Sequence, residues 1–180
     1  MNTINSKDAL ILIIDVQEKL VKMLDDKTVG ESAVKIAKAA GILGISAVIT
    51  EQYPKGLGNT LEEIKLALPN AKYFEKTSFS AVKENGFSEL LKESGKKQIV
   101  IFGIETHICV LQTAFDLIKE GYEVFAVKNA SGSRCEDNKN MALQRLRHAG
   151  CQSVTVEMVL FELLESSKNP NFKEVQALIK

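Results

Sequence analysis

Three side chains suited to covalent hydrolysis stand far apart in the chain: Asp15, Lys76 and Cys109. Cys109 comes a short turn after the apolar run Gln98 to Phe102, at the opening of a stretch with helical spacing. At a helix start the unpaired N–H groups and the helix dipole favour an anion. The position therefore predicts a Cys109 thiol with a pKa below the roughly 8.5 of a free cysteine, and a thiolate that alkylates readily below that pH. The same N–H groups can hold a developing oxyanion. Gly103 lets the chain turn sharply out of the run before it. Cys109 also reads as a small buried hydrophobe, a common fate of free cysteine. Asp15 ends the almost wholly apolar run Ala9 to Ile14, where a lone carboxylate needs a partner or a task. It is either a base for Cys109 or part of an ion pair or cap at a sheet edge. Lys76, taken alone, reads as a solvated surface lysine.

The elements that must position these groups alternate along the chain. Ala9 to Ile14, Ser46 to Thr50, Gln98 to Phe102 and Glu123 to Val127 are short runs rich in Ile and Val with little alternation. That pattern predicts parallel strands covered on both faces. Ser153 to Val156 is a weaker fifth run, and Ala71 to Phe74 a poor sixth. Helices are predicted over Glu31 to Ala40, Phe87 to Glu93, Thr106 to Glu120, Glu136 to Ala149 and from Phe172 to the end, several of them stopped by glycine. Ser133 and Glu136 have the spacing of a capping box. Gln52 to Asn70 reads as a long loop with a short helix near Leu61 to Leu68, and long loops in small domains are often functional. The expected fold is a doubly wound, three-layer αβα domain, with a mainly parallel sheet of five or six strands spanning residues 1–180. Ligands of such sheets bind beyond the carboxyl ends of the strands, where Asp15, Glu51, Gln52 and the Gly103 to Cys109 stretch all fall.

The chain has 180 residues, 45% of them hydrophobic, enough for one ordinary core. Its 23 Lys and Arg balance its 23 Asp and Glu, so no basic excess argues for a nucleic acid partner. No run reaches the roughly 20 apolar residues of a membrane span, and no secretory signal is evident at the start. The three cysteines, Cys109, Cys135 and Cys151, form no disulfide framework, which points to a reducing, cytoplasmic setting.

Taken together, three stretches resemble the isochorismatase-like cysteine hydrolases, a group that includes nicotinamidases and N-carbamoylsarcosine amidases. They are Leu10-Ile11-Leu12-Ile13-Ile14-Asp15-Val16-Gln17, Lys76-Thr77-Ser78-Phe79-Ser80 and Gly103-Ile104-Glu105-Thr106-His107-Ile108-Cys109-Val110. Thr50 to Gly58 and Phe172 to Lys180 are similar to the isochorismatase domain-containing subgroup. The resemblance implies a triad in which Cys109 is the nucleophile, Asp15 its base and later acid, and Lys76 a nearby positive charge. It also implies a cis peptide at Ile104–Glu105 that turns the Glu105 N–H to join that of Cys109 in an oxyanion hole. The implied reaction is hydrolysis of a small amide or related compound through a thioester. Alternatives are vinyl ether hydrolysis of the isochorismatase type, or a binding protein that keeps the fold without catalysis. A homo-oligomer is implied as well, since a neighbouring subunit often completes the pocket in this family.

Nicotinamidases of the group carry a histidine-rich metal site after the second strand. Here that region reads Thr50-Glu51-Gln52-Tyr53-Pro54, and the only histidines are His107 and His148. No metal ion or other cofactor is expected. Gln17, Glu51, Gln52, Tyr53, Phe79 and Thr106 are the candidate pocket residues for a small-molecule substrate. His107 reads either as structural or as a second acid or base beside the oxyanion turn, Cys135 either as structural or as facing the same cleft, Cys151 as core, and His148 as a complement to a helix end. A nucleotide-binding domain would need a glycine-rich turn after the first strand, and Asp15-Val16-Gln17-Glu18-Lys19 has none. A redox thiol protein would usually show C-x-x-C, which is absent.

Overall fold

All six residues of the first strand, β1 (Ala9–Ile14), are buried, and they face two ways. Ala9, Ile11 and Ile13 enter one apolar cluster, while Leu10 and Ile14, with Leu12, enter another. Such a strand must lie centrally with a layer on each side, and a computed structural model describing residues 2–180 shows this arrangement. After β1 come α1 (Glu18–Lys22), α2 (Thr28–Leu43), β2 (Ser46–Gln52), α3 (Pro54–Leu57), α4 (Glu62–Ala67), β3 (Lys72–Lys76) and α5 (Phe87–Glu93). The second half runs β4 (Gln98–Gly103), a π-helical turn (Thr106–Val110), α6 (Leu111–Lys119), β5 (Glu123–Val127), α7 (Glu136–His148), β6 (Gln152–Val154), α8 (Val156–Leu164) and α9 (Phe172–Ala177).

The sheet has six parallel strands in the order β3-β2-β1-β4-β5-β6. α2, α4, α8 and α9 supply the first apolar cluster, and α5, α6 and α7 the second. Each fully buried Ile, Leu or Phe in these layers contributes about 1.5–3 kcal/mol, which is why the helical faces are fixed by their apolar stripes. The strand order reverses direction between β1 and β4, so the crevice at their carboxyl ends is the place for a ligand. The register pairs Ile14 with Gly103, which puts Asp15 and the turn leading to Cys109 side by side.

The elements differ from expectation in instructive ways. Val156 begins α8 instead of ending a strand, and Thr155 caps that helix by accepting from the Met158 N–H at 3.4 Å. The predicted helix Thr106 to Glu120 is a π turn followed by α6, because the Glu105 carbonyl accepts from both Ile108 (3.1 Å) and Val110 (3.2 Å). No capping box forms at α7: its N-cap is Cys135, and the Ser133 hydroxyl is paired instead with His107 Nδ1 at 2.9 Å. α1, α3 and α8 were not anticipated, and the last helix stops at Ala177.

Candidate active site

The carboxylate at the end of β1 is reached from three strands. Asp15 sits at φ 51°, a left-handed conformation that Asp tolerates better than most residues. Its N–H donates to the Thr50 carbonyl at 3.1 Å, and the Thr50 hydroxyl donates to Asp15 Oδ1 at 2.7 Å. Asp15 Oδ2 lies 2.7 Å from Lys76 Nζ, and both side chains have no exposed surface. Lys76 closes β3, and its ammonium also donates to Gln52 Oε1 (2.5 Å) and to the carbonyls of Ser78 (3.3 Å) and Phe79 (3.4 Å). A buried charge is tolerable only when paired and hydrogen-bonded in this way. Among the described residues, Asp15 Oδ2 has no aligned hydrogen-bond donor.

Cys109, 7% exposed, lies within the π turn that follows β4. The charges of Asp15 and Lys76 both bear on its thiol, in opposite senses, so the three distant residues share one neighbourhood. The thiol is not activated as its helix-start position predicted. Burial, followed by the charge of Asp15, pushes its pKa up to about 12, against the opposing effect of Lys76. Desolvation penalises a thiolate more than a single turn of N–H groups rewards it. Burial and the Asp15 charge thus both oppose the thiolate.

The turn between β4 and Cys109 depends on glycine and on a returning segment. Gly103 has φ 137°, and a side chain there would collide with the Ile14 carbonyl oxygen. That carbonyl accepts from the Ile104 N–H at 2.9 Å, which locks the turn to the end of β1. The peptide Ile104–Glu105 is cis, as the resemblance implied. Ile104 bridges to Gly132, and the Thr106 N–H donates to the Gly132 carbonyl at 2.8 Å. A Cβ on Gly132 would lie 2.5 Å from Leu24 Cδ1, so any larger residue there would push the buried Leu24 side chain aside. The Glu105 carboxylate accepts from the Arg134 N–H at 3.0 Å and from Arg134 Nε at 3.1 Å.

The candidate pocket residues divide sharply. Gln17 is wholly buried and spans to the next strand, donating to the Gln52 and Gly58 carbonyls (3.1 and 2.6 Å) and accepting from the Gln52 N–H (2.8 Å). That leaves it no free polar group for a ligand, so it acts as a strut. Glu51 commits one carboxylate oxygen, Oε1, which accepts from the N–H and hydroxyl of Thr60, both at 2.7 Å. Gln52 orients Lys76 and donates to the Thr77 carbonyl at 2.8 Å. Thr106 is fully buried inside the turn. Only Tyr53 (59% exposed) and Phe79 (54%) remain open to form walls. Cys135 is exposed, whereas Cys151 is buried as expected.

Sequence reasoning missed Thr50, Glu84 and Arg134. Thr50 could have been found from its place near the end of β2, paired with Ile14 beside Asp15. Glu84 Oε1 accepts from the N–H groups of Thr77 (2.7 Å) and Ser78 (2.5 Å) and so shapes the loop that supplies carbonyls to Lys76. Nothing local marks it. Cavities of about 600 and 590 Å³ open beside α2 and α9 and touch none of the three central residues. A smaller one of about 260 Å³ is lined by Lys76 together with Tyr53, Pro54 and Glu84.

The sheet order, the flanking helices and the site at the β1–β4 crevice define a three-layer α/β protein of the isochorismatase-like type. Residues 9–158 match the Isochorismatase domain, and the chain belongs to that family. It is 39% identical over 177 residues to isochorismatase domain-containing protein 2 of Danio rerio, covering 98% of this chain and 89% of the relative. Among solved structures, MAR1 ribonuclease from Caenorhabditis elegans superposes with a TM-score of 0.92 at 35% identity, covering 99% of this chain and 92% of the other. The Escherichia coli YcaC gene product, described as an octameric hydrolase of unknown specificity, superposes with a TM-score of 0.92 at 27% identity, covering 98% and 89%. No helix among the described residues is long and apolar enough to cross a membrane.

Proposed function

We propose that this chain is a cysteine hydrolase of a small amide or related acyl compound, working as one domain over residues 1–180 with Cys109, Asp15 and Lys76 as its triad. One observation carries the reading: a fully buried Asp15–Lys76 pair, 2.7 Å apart, lies close enough to Cys109 for both charges to bear on its thiol. A structural ion pair has no need of a thiol beside it.

The raised thiol pKa shapes the mechanism. A free thiolate does not wait in the site, so deprotonation accompanies attack. Asp15 takes the S–H proton as sulfur bonds to the substrate carbonyl carbon. Lys76 offsets the negative charge that then spreads over sulfur and carboxylate. The backbone N–H groups of Glu105 and Cys109 receive the carbonyl oxygen as it gains charge. The C–N bond breaks as Asp15 returns the proton to the leaving amine. Water, deprotonated by the same carboxylate, then cleaves the thioester, releasing acid and restoring the thiol. Tyr53 and Phe79 form the open rim, and a second copy of the chain completes the pocket. A cytoplasmic homo-oligomer fits this reading, in keeping with the octamer described for the E. coli relative. The balance of 23 basic and 23 acidic residues gives no support to an RNA substrate of the kind named for the C. elegans relative.

The test is a screen of small amides, carbamoyl compounds and vinyl ethers against wild type, Cys109→Ala and Asp15→Asn. Amide turnover should fall by about 10³-fold or more in either variant. Vinyl ether turnover that survives Cys109→Ala would replace the amide reading, and unchanged amide turnover in Cys109→Ala would remove the thiol from the chemistry.

A further inference from the structure

Glu105 is engaged through two of its three polar groups. Its carbonyl accepts the two N–H groups that shape the π turn carrying Cys109, at 3.1 and 3.2 Å. Its carboxylate, on a residue 7% exposed, accepts the Arg134 N–H and Nε at 3.0 and 3.1 Å. Its N–H forms no backbone hydrogen bond among the described residues. This places a nearly buried carboxylate on the same residue as an N–H assigned to the oxyanion. An unscreened anion so close would oppose a second negative charge, and the opposition grows as water is excluded. Arg134 answers that problem from the segment between β5 and α7. Its Nε neutralises the carboxylate while the rest of its side chain stays 60% exposed.

We infer that Glu105 and Arg134 form a positioning pair, in which the carboxylate anchors the oxyanion turn to the Ser131–Arg134 segment and the guanidinium masks its charge from the oxyanion. The same segment reinforces the anchor through the Thr106 to Gly132 hydrogen bond and the His107–Ser133 contact at 2.9 Å. This inference rests on the proposed oxyanion role of the Glu105 N–H. It goes further by assigning a task to the Glu105 side chain and to Arg134, neither of which touches substrate.

Two reactions of the same sulfur separate the possibilities. Acylation by p-nitrophenyl acetate forms an S–acetyl bond, breaks the ester C–O bond, sends the thiol proton to the nitrophenolate and passes through an oxyanion. Alkylation by iodoacetamide displaces iodide and forms no oxyanion. The ratio of the two rates cancels any change in thiolate content. Arg134→Ala should lower that ratio by about tenfold or more, since it exposes the carboxylate charge. In a Glu105→Gln background, which has no carboxylate charge to mask, adding Arg134→Ala should lower the ratio by less than about threefold. The double variant Glu105→Gln, Arg134→Ala should recover most of the loss seen in Arg134→Ala.

An unchanged ratio in Arg134→Ala would overturn the pair, as would a double variant no better than Arg134→Ala. Equal slowing of both reactions would also overturn it, by reducing the pair to a support for the turn. Cys109→Ala, run alongside, should show no acylation burst. A burst that persists there would sink the nucleophile assignment itself, a different failure.

Discussion

Asp15 Oδ2 and Lys76 Nζ lie 2.7 Å apart with neither side chain exposed, yet the two ends of this pair are unequally supported. Lys76 has Gln52, Ser78 and Phe79 as further acceptors, whereas among the described residues the Asp15 carboxylate has only the Thr50 hydroxyl as a further donor. Removing one member of a buried pair costs about 3–5 kcal/mol when the other is left bare. Lys76→Met should lose that much in urea unfolding, because it strands the carboxylate. Asp15→Asn should lose distinctly less, because the ammonium keeps three acceptors. Equal losses would show that the supporting carbonyls contribute nothing.

The raised thiol pKa sets a second expectation. With Cys109 pushed up to about 12, the alkylation rate of the wild type should climb about tenfold per pH unit from pH 7 to 10 without a plateau. Burial is the larger cause and the Asp15 charge the next. Asp15→Asn removes the second, so its Cys109 should alkylate faster at pH 8 even as amide turnover falls. Mass-spectrometric alkylation rates across pH decide this, and a wild-type plateau near pH 7 would refute it.

Alkaline stability follows from Cys109 and Cys151, both held near 12 chiefly by burial. A thiol whose folded pKa is raised stays protonated in the fold after the unfolded chain has lost its proton. Its contribution is present below the unfolded value and is lost as pH rises toward 12. Each cysteine should steepen the fall in unfolding free energy by up to about 1.4 kcal/mol per pH unit above pH ~9. Cys151→Ala should make that slope shallower, whatever it costs at pH 7, and calorimetry between pH 8 and 10.5 reads the difference.

Acid stability turns on Glu84. The backbone N–H groups of Ser78 and Thr77 donate to its carboxylate and lower its pKa to about 2. A depressed folded pKa gives stability that is present above the unfolded value of about 4.3 and is lost as pH falls toward 2. Glu84→Gln should flatten the urea midpoint between pH 5 and 2.5. It should also loosen the Thr77–Phe79 loop, lowering turnover at neutral pH through Lys76. A variant with an unaltered acid limb would show that those N–H groups turn to water at no cost.

The amino-acid sequence alone determined the strands that matter and the residues at their ends. β1 is legible because a parallel strand covered on both faces must be apolar at every position, and Asp15 is conspicuous as the break in that run. The glycine at 103 and the helical spacing after Cys109 mark the other side of the crevice. β3 was faint because an edge strand exposes most of its side chains. α8 was missed because a helix apolar nearly all round, Val156-Glu157-Met158-Val159-Leu160-Phe161-Glu162-Leu163-Leu164, has little periodicity to read, although Thr155 offered a cap. Tertiary structure alone decided the rest. It tied Gln17 to Gln52 and Gly58 and Glu51 to Thr60, gave Asp15 its Thr50 partner, and brought Arg134 to Glu105. It also reversed the expected state of the thiol, since desolvation and the field of distant charges depend on what packs around a group, and local spacing carries no record of that.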